Sequence, residues 1–376
     1  MRAFYQSDLR QNVAMSLGAS KEVLRQAVDA LLRGELVALP TETVYGLGAD
    51  AANEQAVARI FEAKGRPADH PLIVHVAKNT PLEKWAIDIP PVAKKLTDAF
   101  WPGPLTLILK KSARIPRGVT GGQDTVGIRC PAHPLAQKLL AAFAKAGSGI
   151  IAAPSANKFG HVSPTTAQHV RDEFGNALLV LDGGACEVGI ESTILDLSRM
   201  KTLKRPVVLR PGAVTPEMIR AVIGEMPLQP DELPEVRTTG ARHAAPRVSG
   251  SLAAHYAPMT PLQLLDGAAL QAELDARLHQ GKRVAVLAFS AKPRVKPSPV
   301  GVGVRNARPL VWISAEADPA SYAQGLYANL RTLDAAQTSI ILVEAPPIAP
   351  AWEAVNDRLN RAATGSGKKP PAAKSD

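Results

Sequence analysis

KGRPADHPLIVHV, Lys64 to Val76, holds a helix stop, a basic loop and a short apolar run in close succession. Upstream, Ala56 to Ala63 carries Val57, Ile60 and Phe61 at helical spacing, and Gly65 stands where a left-handed C-cap belongs. Downstream, Leu72 to Val76 reads as a buried strand. Helix, turn and buried strand in that order specify an α/β domain. Between them, Lys64, Arg66 and His70, stiffened by Pro67 and Pro71, supply more fixed charge than a plain connection needs.

The alternation continues in both directions. Val23, Ala27, Leu31 and Leu32 keep helical spacing in a segment that Ser20 can cap and that ends near Gly34; a strand follows at Leu36–Leu39. Further strands are expected at Leu105–Leu109, Val126–Arg129, Ile150–Ala153, Leu178–Leu181 and Ser192–Leu197. Helices near Val92–Phe100, Pro134–Ala146 and Thr165–Phe174 separate several of them. This predicts a twisted, open, mixed sheet with helices on both faces. Met226 to Ser251 is rich in Pro, Gly and Arg without apolar periodicity, which marks a linker. A second, smaller α/β pattern has strands at Leu262–Leu265, Val284–Ala288 and Ile340–Val343. Its helices are expected at Ala269–His279, Ala320–Asp334 and Ala351–Ala363. The expected division is a first domain over 13–222, a connecting segment over 223–260, a second domain over 261–363 and a disordered basic tail over 364–376.

Composition narrows the classes. Of 376 residues, 46% are apolar and 21% charged, as in soluble globular chains. No apolar run approaches the ~20 residues of a membrane helix, and the N-terminus lacks an apolar signal segment, so a cytoplasmic protein without membrane contact is expected. Cys130 and Cys186 are far apart and without CxxC spacing, which excludes a thiolate zinc site and a disulfide framework. Forty-four Lys and Arg against 34 Asp and Glu leave a net charge of +10, suited to nucleotides, RNA or both. With 4% aromatics and no aromatic–basic interleaving, single-strand reading by stacking is not expected; shape-and-phosphate contact with folded RNA stays open.

Two motifs fail on inspection. GSGKK near Gly365 lacks the first glycine, the hydroxyl residue and the preceding strand of a phosphate loop. SANK, Ser155 to Lys158, lacks the companion motifs of an acyl-enzyme serine. What remains is a set of polar segments at strand ends: PTETVYGLG (Pro40 to Gly48), KGRPADHP, DTVGIRCPAHP (Asp124 to Pro134), APSANKFGHVSPT (Ala153 to Thr165) and EST (Glu191 to Thr193). Ligands of open α/β sheets bind at strand ends, so these segments are expected to share one site.

Together with WPGPLTLIL and SGSLAAHYAP, Ser249 to Pro258, these segments resemble the threonylcarbamoyl-AMP synthase family in its long form, a YrdC-like domain followed by a second α/β unit. The resemblance spans roughly residues 15 to 360. It implies a twisted sheet over a basic groove and a smaller Rossmann-like domain. It also implies a nucleotidyltransferase reaction in which L-threonine, bicarbonate and ATP give threonylcarbamoyl-adenylate and pyrophosphate, for threonylcarbamoyladenosine in tRNA. A downstream tRNA threonylcarbamoyl transferase complex would take the product. Carried over by position, Thr43, His75, Arg129, Ala153 and Ser192 correspond to the threonine pocket, with Arg129 the partner of the substrate carboxylate. Arg66, His70, Thr125, Ser155, Ser163, Arg210 and Tyr256 correspond to ATP contacts; the family more often has Asn where His70 stands. Lys64, Arg66, Ser155 and Asn157 form the catalytic K-x-R…S-x-N set. Tyr256 is expected to close a lid over the nucleotide. Mg²⁺ is expected on the ATP phosphates rather than on side chains, with no organic cofactor. Two rivals are weighed: a non-catalytic double-stranded-RNA-binding protein, and a carbamoyl transfer of the hydrogenase-maturation kind, whose zinc-finger and acylphosphatase modules this chain lacks.

Overall fold

The computed structural model describes residues 21–233, 245–293 and 310–367. Ser20, the expected helix cap, and residues 368–376 of the expected tail lie outside them. The described residues form two compact units. The first takes residues up to 158, 164–187 and 191–251; the second takes 159–163, 188–190 and the chain from 252 onward.

The first unit is built on β1 (Val37–Leu39), β2 (Gly46–Asp50), β3 (Ile73–Val76), β4 (Ala86–Ile87), β5 (Leu105–Lys111), β6 (Thr125–Arg129), β7 (Ile150–Ala152), β8 (Leu179–Val180), β9 (Thr193–Asp196) and β10 (Val207–Arg210). They form one mixed sheet in the order β10-β9-β5-β6-β3-β7-β2-β1-β8, with β4 at the side of β5. The pairs β3/β6, β5/β9 and β1/β8 are parallel; the others are antiparallel. Helices are α1 (Lys21–Leu32), α2 (Glu54–Lys64), α3 (Pro91–Phe100), α4 (Pro134–Ala146), α5 (Ala167–Phe174) and α6 (Pro216–Ile223).

Side-chain alternation along the strands sorts the core into two layers. Leu47, Val74, Val76, Leu107, Ile128 and Leu195 face α2, α3, α5 and α6 through Val57, Ile60, Leu96, Val170 and Ile219. Val37, Leu39 and Ile151 face the other way, against Leu31 of α1 and Leu139, Leu140 and Phe143 of α4. At this scale the expected mixed sheet, clothed on both faces, stands.

Several boundaries differ from the sequence reading. The second half of PTETVYGLG is strand β2 rather than a strand-end loop. Its glycines hide any β-pattern, and their reason is steric: a Cβ on Gly48 would lie 2.8 Å from Leu39 Cδ2 and 2.9 Å from Ile151 Cγ2. Helix α5 starts at Ala167, because the Thr166 side chain accepts the His169 N–H as its cap. Gly65 is the αL cap expected for α2, with φ 63°.

The second unit holds four parallel strands in the order β11-β14-β12-β13: β11 (Leu262–Leu265), β12 (Val284–Ala288), β13 (Leu310–Ser314) and β14 (Ile340–Glu344). Three helices accompany them, α7 (Gly267–His279), α8 (Pro319–Asp334) and α9 (Glu353–Gly365). Helix α9 continues two residues beyond the boundary at 363, into the segment expected to be a tail.

Candidate active site

On β3, β5 and β6, residues alternate between the core side and a polar side. IVHV, LTLIL and TVGIR each send His75, Thr106, or Thr125 and Arg129 to the face opposite Val74, Leu107 and Ile128. Gly127 keeps the middle of that face low: a Cβ there would meet Ile108 Cδ1 at 3.2 Å and Thr106 Cγ2 at 3.4 Å. His75 and Arg129 are register partners on parallel β3 and β6. Burial and the neighbouring Arg129 guanidinium push the His75 imidazole down to about 3, so it is neutral at ordinary pH.

Arg129 is the hub of the buried polar cluster. Its Nη1 donates to Thr43 Oγ1 at 2.8 Å and its Nε to Gly103 O at 3.4 Å. Thr43 is fixed in turn, its Oγ1 2.9 Å from Thr41 Oγ1. The remaining nitrogen, Nη2, lies 2.7 Å from Glu42 Oε1, and the two side chains are 5% and 4% exposed. The substrate carboxylate expected on Arg129 therefore has a protein carboxylate as its rival. Glu42 Oε2 accepts the Ala132 N–H at 2.9 Å. The Arg129–Glu42 approach is an ion pair off the hydrogen-bonding direction: Nη2 and Oε1 are both buried without a hydrogen-bond partner.

Two further guanidinium groups meet on one hydroxyl residue. Arg66 Nη2 donates to Pro71 O at 3.0 Å and Ser249 Oγ at 3.2 Å; Arg210 Nη1 donates to Ser249 O at 2.8 Å. Arg210 also donates to Ser192 O and Oγ, and Ser192 Oγ lies 2.8 Å from Thr106 Oγ1. A register shift between Val208 and Arg210 in the β10/β9 pairing aims the last residue of β10 at Ser192. Arg66 is buried, not the lightly contacted loop cation its position suggests.

Lys64 also departs from expectation. It is the buried last residue of α2, and its Nζ donates to Ser155 O and Asn157 O, each at 2.5 Å. Burial first, and then the Arg66 charge, push its pKa well below the ordinary lysine value. Lys158 reciprocates by donating to Ala63 O at 2.6 Å. The K-x-R and S-x-N segments are thus clamped together through backbone oxygens.

A family model described as telomere recombination matches residues 29–212, and one described as threonylcarbamoyl-AMP synthase, C-terminal domain, matches residues 214–364. The chain is 40% identical over 346 residues to the threonylcarbamoyl-AMP synthase of Pyrococcus abyssi, covering 90% of this chain and 93% of that one. It is 40% identical over 360 residues to that of Bacillus subtilis, covering 94% and 96%. The crystal structure of P. abyssi Sua5 complexed with L-threonine superposes with a TM-score of 0.73 at 39% identity, over 91% of this chain and 94% of that one.

The chain belongs to the threonylcarbamoyl-AMP synthase family.

Within this family member the contacts above join Thr43 to Arg129, and Arg66 through Ser249 to Arg210 and Ser192; Thr106, bonded to Ser192, is the register partner of Arg129 across β5 and β6. Ala153 borders β7, its N–H donating to Ile73 O at 3.0 Å. Thr125 opens β6 near the β5 edge, opposite Lys110. His70 lies beside Arg66, and burial followed by that guanidinium lowers its pKa; its 4.0 Å approach to Asp69 is accordingly not a full ion pair. Asn157 is buried and donates to Lys158 O at 2.7 Å. Ser163 and Tyr256 are counted with the second unit. There Tyr256, at φ 60° and 1% exposed, packs 4.1 Å from the His255 ring centroid and 5.6 Å from Tyr327, with Arg358 over its ring. These contacts make Tyr256 an anchor of that unit.

Sequence reasoning missed Glu42, Thr106 and the placement of Ser249. Glu42 and Thr106 had a local signal: Glu42 lies between two threonines of TET, and Thr106 interrupts the apolar run LTLIL. The inward orientation of this Thr, Ser, Arg and Glu set suits a small charged ligand rather than the outer shape of an RNA helix.

Proposed function

We propose that this chain condenses L-threonine, bicarbonate and MgATP into threonylcarbamoyl-adenylate and pyrophosphate. The observation that carries the reading is the buried Arg129–Thr43–Glu42 cluster beside the Arg66–Ser249–Arg210 cluster. One binds a carboxylate-bearing small molecule; the other offers two guanidinium forks to phosphate. The reaction needs placement and charge stabilisation rather than a nucleophilic side chain. Threonine's neutral amine attacks the bicarbonate carbon, and the resulting carbamate oxygen attacks the α-phosphorus. Arg66 and Arg210 face the charge that builds on phosphoryl oxygens. Ser249 moves from between them, because its carbonyl and hydroxyl occupy the donors that phosphate oxygens take. The product is an activated carbamoyl group of the kind a tRNA-modifying transferase consumes.

The test is mass spectrometry of the products together with pyrophosphate release. Release should require both threonine and bicarbonate, because the attacking oxygen does not exist until they combine. Equal release with threonine omitted rejects the reading.

A further inference from the structure

We propose that Glu42 binds the ammonium of the incoming amino acid and takes its proton. The inference rests on the functional reading above and assigns a residue to the step that reading leaves without one. An amino acid arrives as a zwitterion, so a site holding only guanidinium groups satisfies its carboxylate and repels its ammonium. Arg129 and Glu42 form a buried, neutral pair at 2.7 Å. Adding a zwitterion keeps the cluster neutral if the new carboxylate joins Arg129 and the new ammonium joins Glu42. A buried charge left without a partner is costly, so this pairing is strongly selected.

The hydrogen-bond accounting points the same way. Glu42 Oε2 is satisfied by the Ala132 N–H, which fixes the carboxylate. Oε1 and Arg129 Nη2 are buried and make no directed hydrogen bond. Buried polar atoms of this kind are normally paired, so one acceptor and one donor lie side by side in the cluster with capacity to spare. An ammonium N–H and a carboxylate oxygen are the complement of that pair. Two bonds separate an α-ammonium nitrogen from its carboxylate carbon, so one amino acid can reach both atoms.

The chemistry then balances without another reactant. An ammonium N–H bond breaks and its proton moves to Glu42. The freed lone pair forms a C–N bond to the bicarbonate carbon. The second amine proton leaves with the bicarbonate hydroxyl as water, and the proton on Glu42 returns to solvent. Among the described residues, the titratable groups that interact with Glu42 include Arg129, Cys130, His133 and Cys186. Burial raises the Cys130 thiol to about 12 and lowers His133, so both are uncharged at neutral pH and neither competes for the ammonium.

The decisive variant is Glu42→Gln in the full-length chain, which retains an acceptor for the Ala132 N–H. Binding is measured for L-threonine and for 2,3-dihydroxybutanoate, which carries a hydroxyl in place of the amine. Threonine binding should weaken at least about tenfold, while the hydroxy acid, whose carboxylate in wild type leaves Glu42 without a cation, should bind at least as tightly as in wild type, a result that also certifies the variant's fold. Threonine-dependent pyrophosphate release at neutral pH should fall about 10²-fold, the lower range for loss of a general base. That deficit should shrink as pH rises towards the titration of threonine's own amine. Equal weakening of both ligands, or a pH profile parallel to wild type, overturns the proposal and leaves Glu42 as an orienter of Arg129. Should wild type itself release no threonine-dependent pyrophosphate, the functional reading fails, while the binding comparison still decides whether Glu42 reads an ammonium.

Discussion

His75 shows at the scale of one residue how the site shapes stability. Its folded pKa of about 3 lies below the ordinary 6.5, because burial and Arg129 both disfavour a second cation. Between those values the unfolded chain binds a proton that the folded chain refuses. The contribution is therefore fully present above about pH 6.5 and is lost as pH falls towards 3. Chemical denaturation of His75→Asn between pH 7 and pH 4 should show a shallower acid limb than wild type. The slopes should differ by up to about 1.4 kcal/mol per pH unit, the value of one proton. Parallel limbs would mean that His75 protonates without unfolding. Lys64 follows the same sign: its lowered pKa adds stability as pH rises through the alkaline range, and phosphate brought near it would restore its charge.

Among elements, the segment from Arg247 to Ser251 departs most from its sequence reading. Its composition marks a tether, yet Val248 is buried with Ile108 and Ile194 on the polar side of the sheet. Arg247 pairs with Asp69 at 3.2 Å and donates to Gly121 O at 2.8 Å, and its backbone N–H donates to Gln123 Oε1 at 2.7 Å. Gly121 makes this close approach possible: at φ 56° a Cβ would lie 2.1 Å from Asp69 O. Val248 belongs to a small satellite cluster rather than to either main core layer. Val248→Asp should release the segment, speeding tryptic cleavage after Arg247, while the thermal midpoint shifts by no more than a few degrees. Unchanged cleavage, mapped by mass spectrometry, would show that the polar contacts alone hold it.

Across the molecule, charge distinguishes the two organic substrates proposed above. A net charge of +10 attracts a triphosphate over several ångströms and is screened by salt, whereas threonine is a zwitterion with no net charge. Raising ionic strength from about 0.05 to 0.3 M, with Debye lengths between those of 0.01 and 1 M solutions, should raise KM for ATP several-fold and leave KM for threonine nearly unchanged. Equal shifts in both would mean that long-range attraction plays no part in nucleotide capture. Among the described residues, no helix is long and apolar enough to cross a membrane.

The sequence by itself determined the order of helices and buried strands, because alternation, spacing and glycine stops are local properties. It also set two α/β units around a Pro- and Gly-rich segment, and its motifs carried the family. Thr43, Arg66, Arg129 and Ser192 stand in the strand-end motifs, and their expected roles, like that of Arg210, came from the family resemblance. Tertiary structure alone decided their partners. That Arg129 faces Glu42, that Arg66 and Arg210 share Ser249, and that Lys64 turns to the Ser155 and Asn157 carbonyls all depend on contacts between residues 39 to 183 positions apart. Strand β2 was hidden for a related reason: Gly46 answers to Ala153 and Gly48 to Leu39 and Ile151 across the sheet, not to their own neighbours in the chain. Local pattern fixes which side chains a strand sends to each face, while only the paired sheet fixes which of them touch.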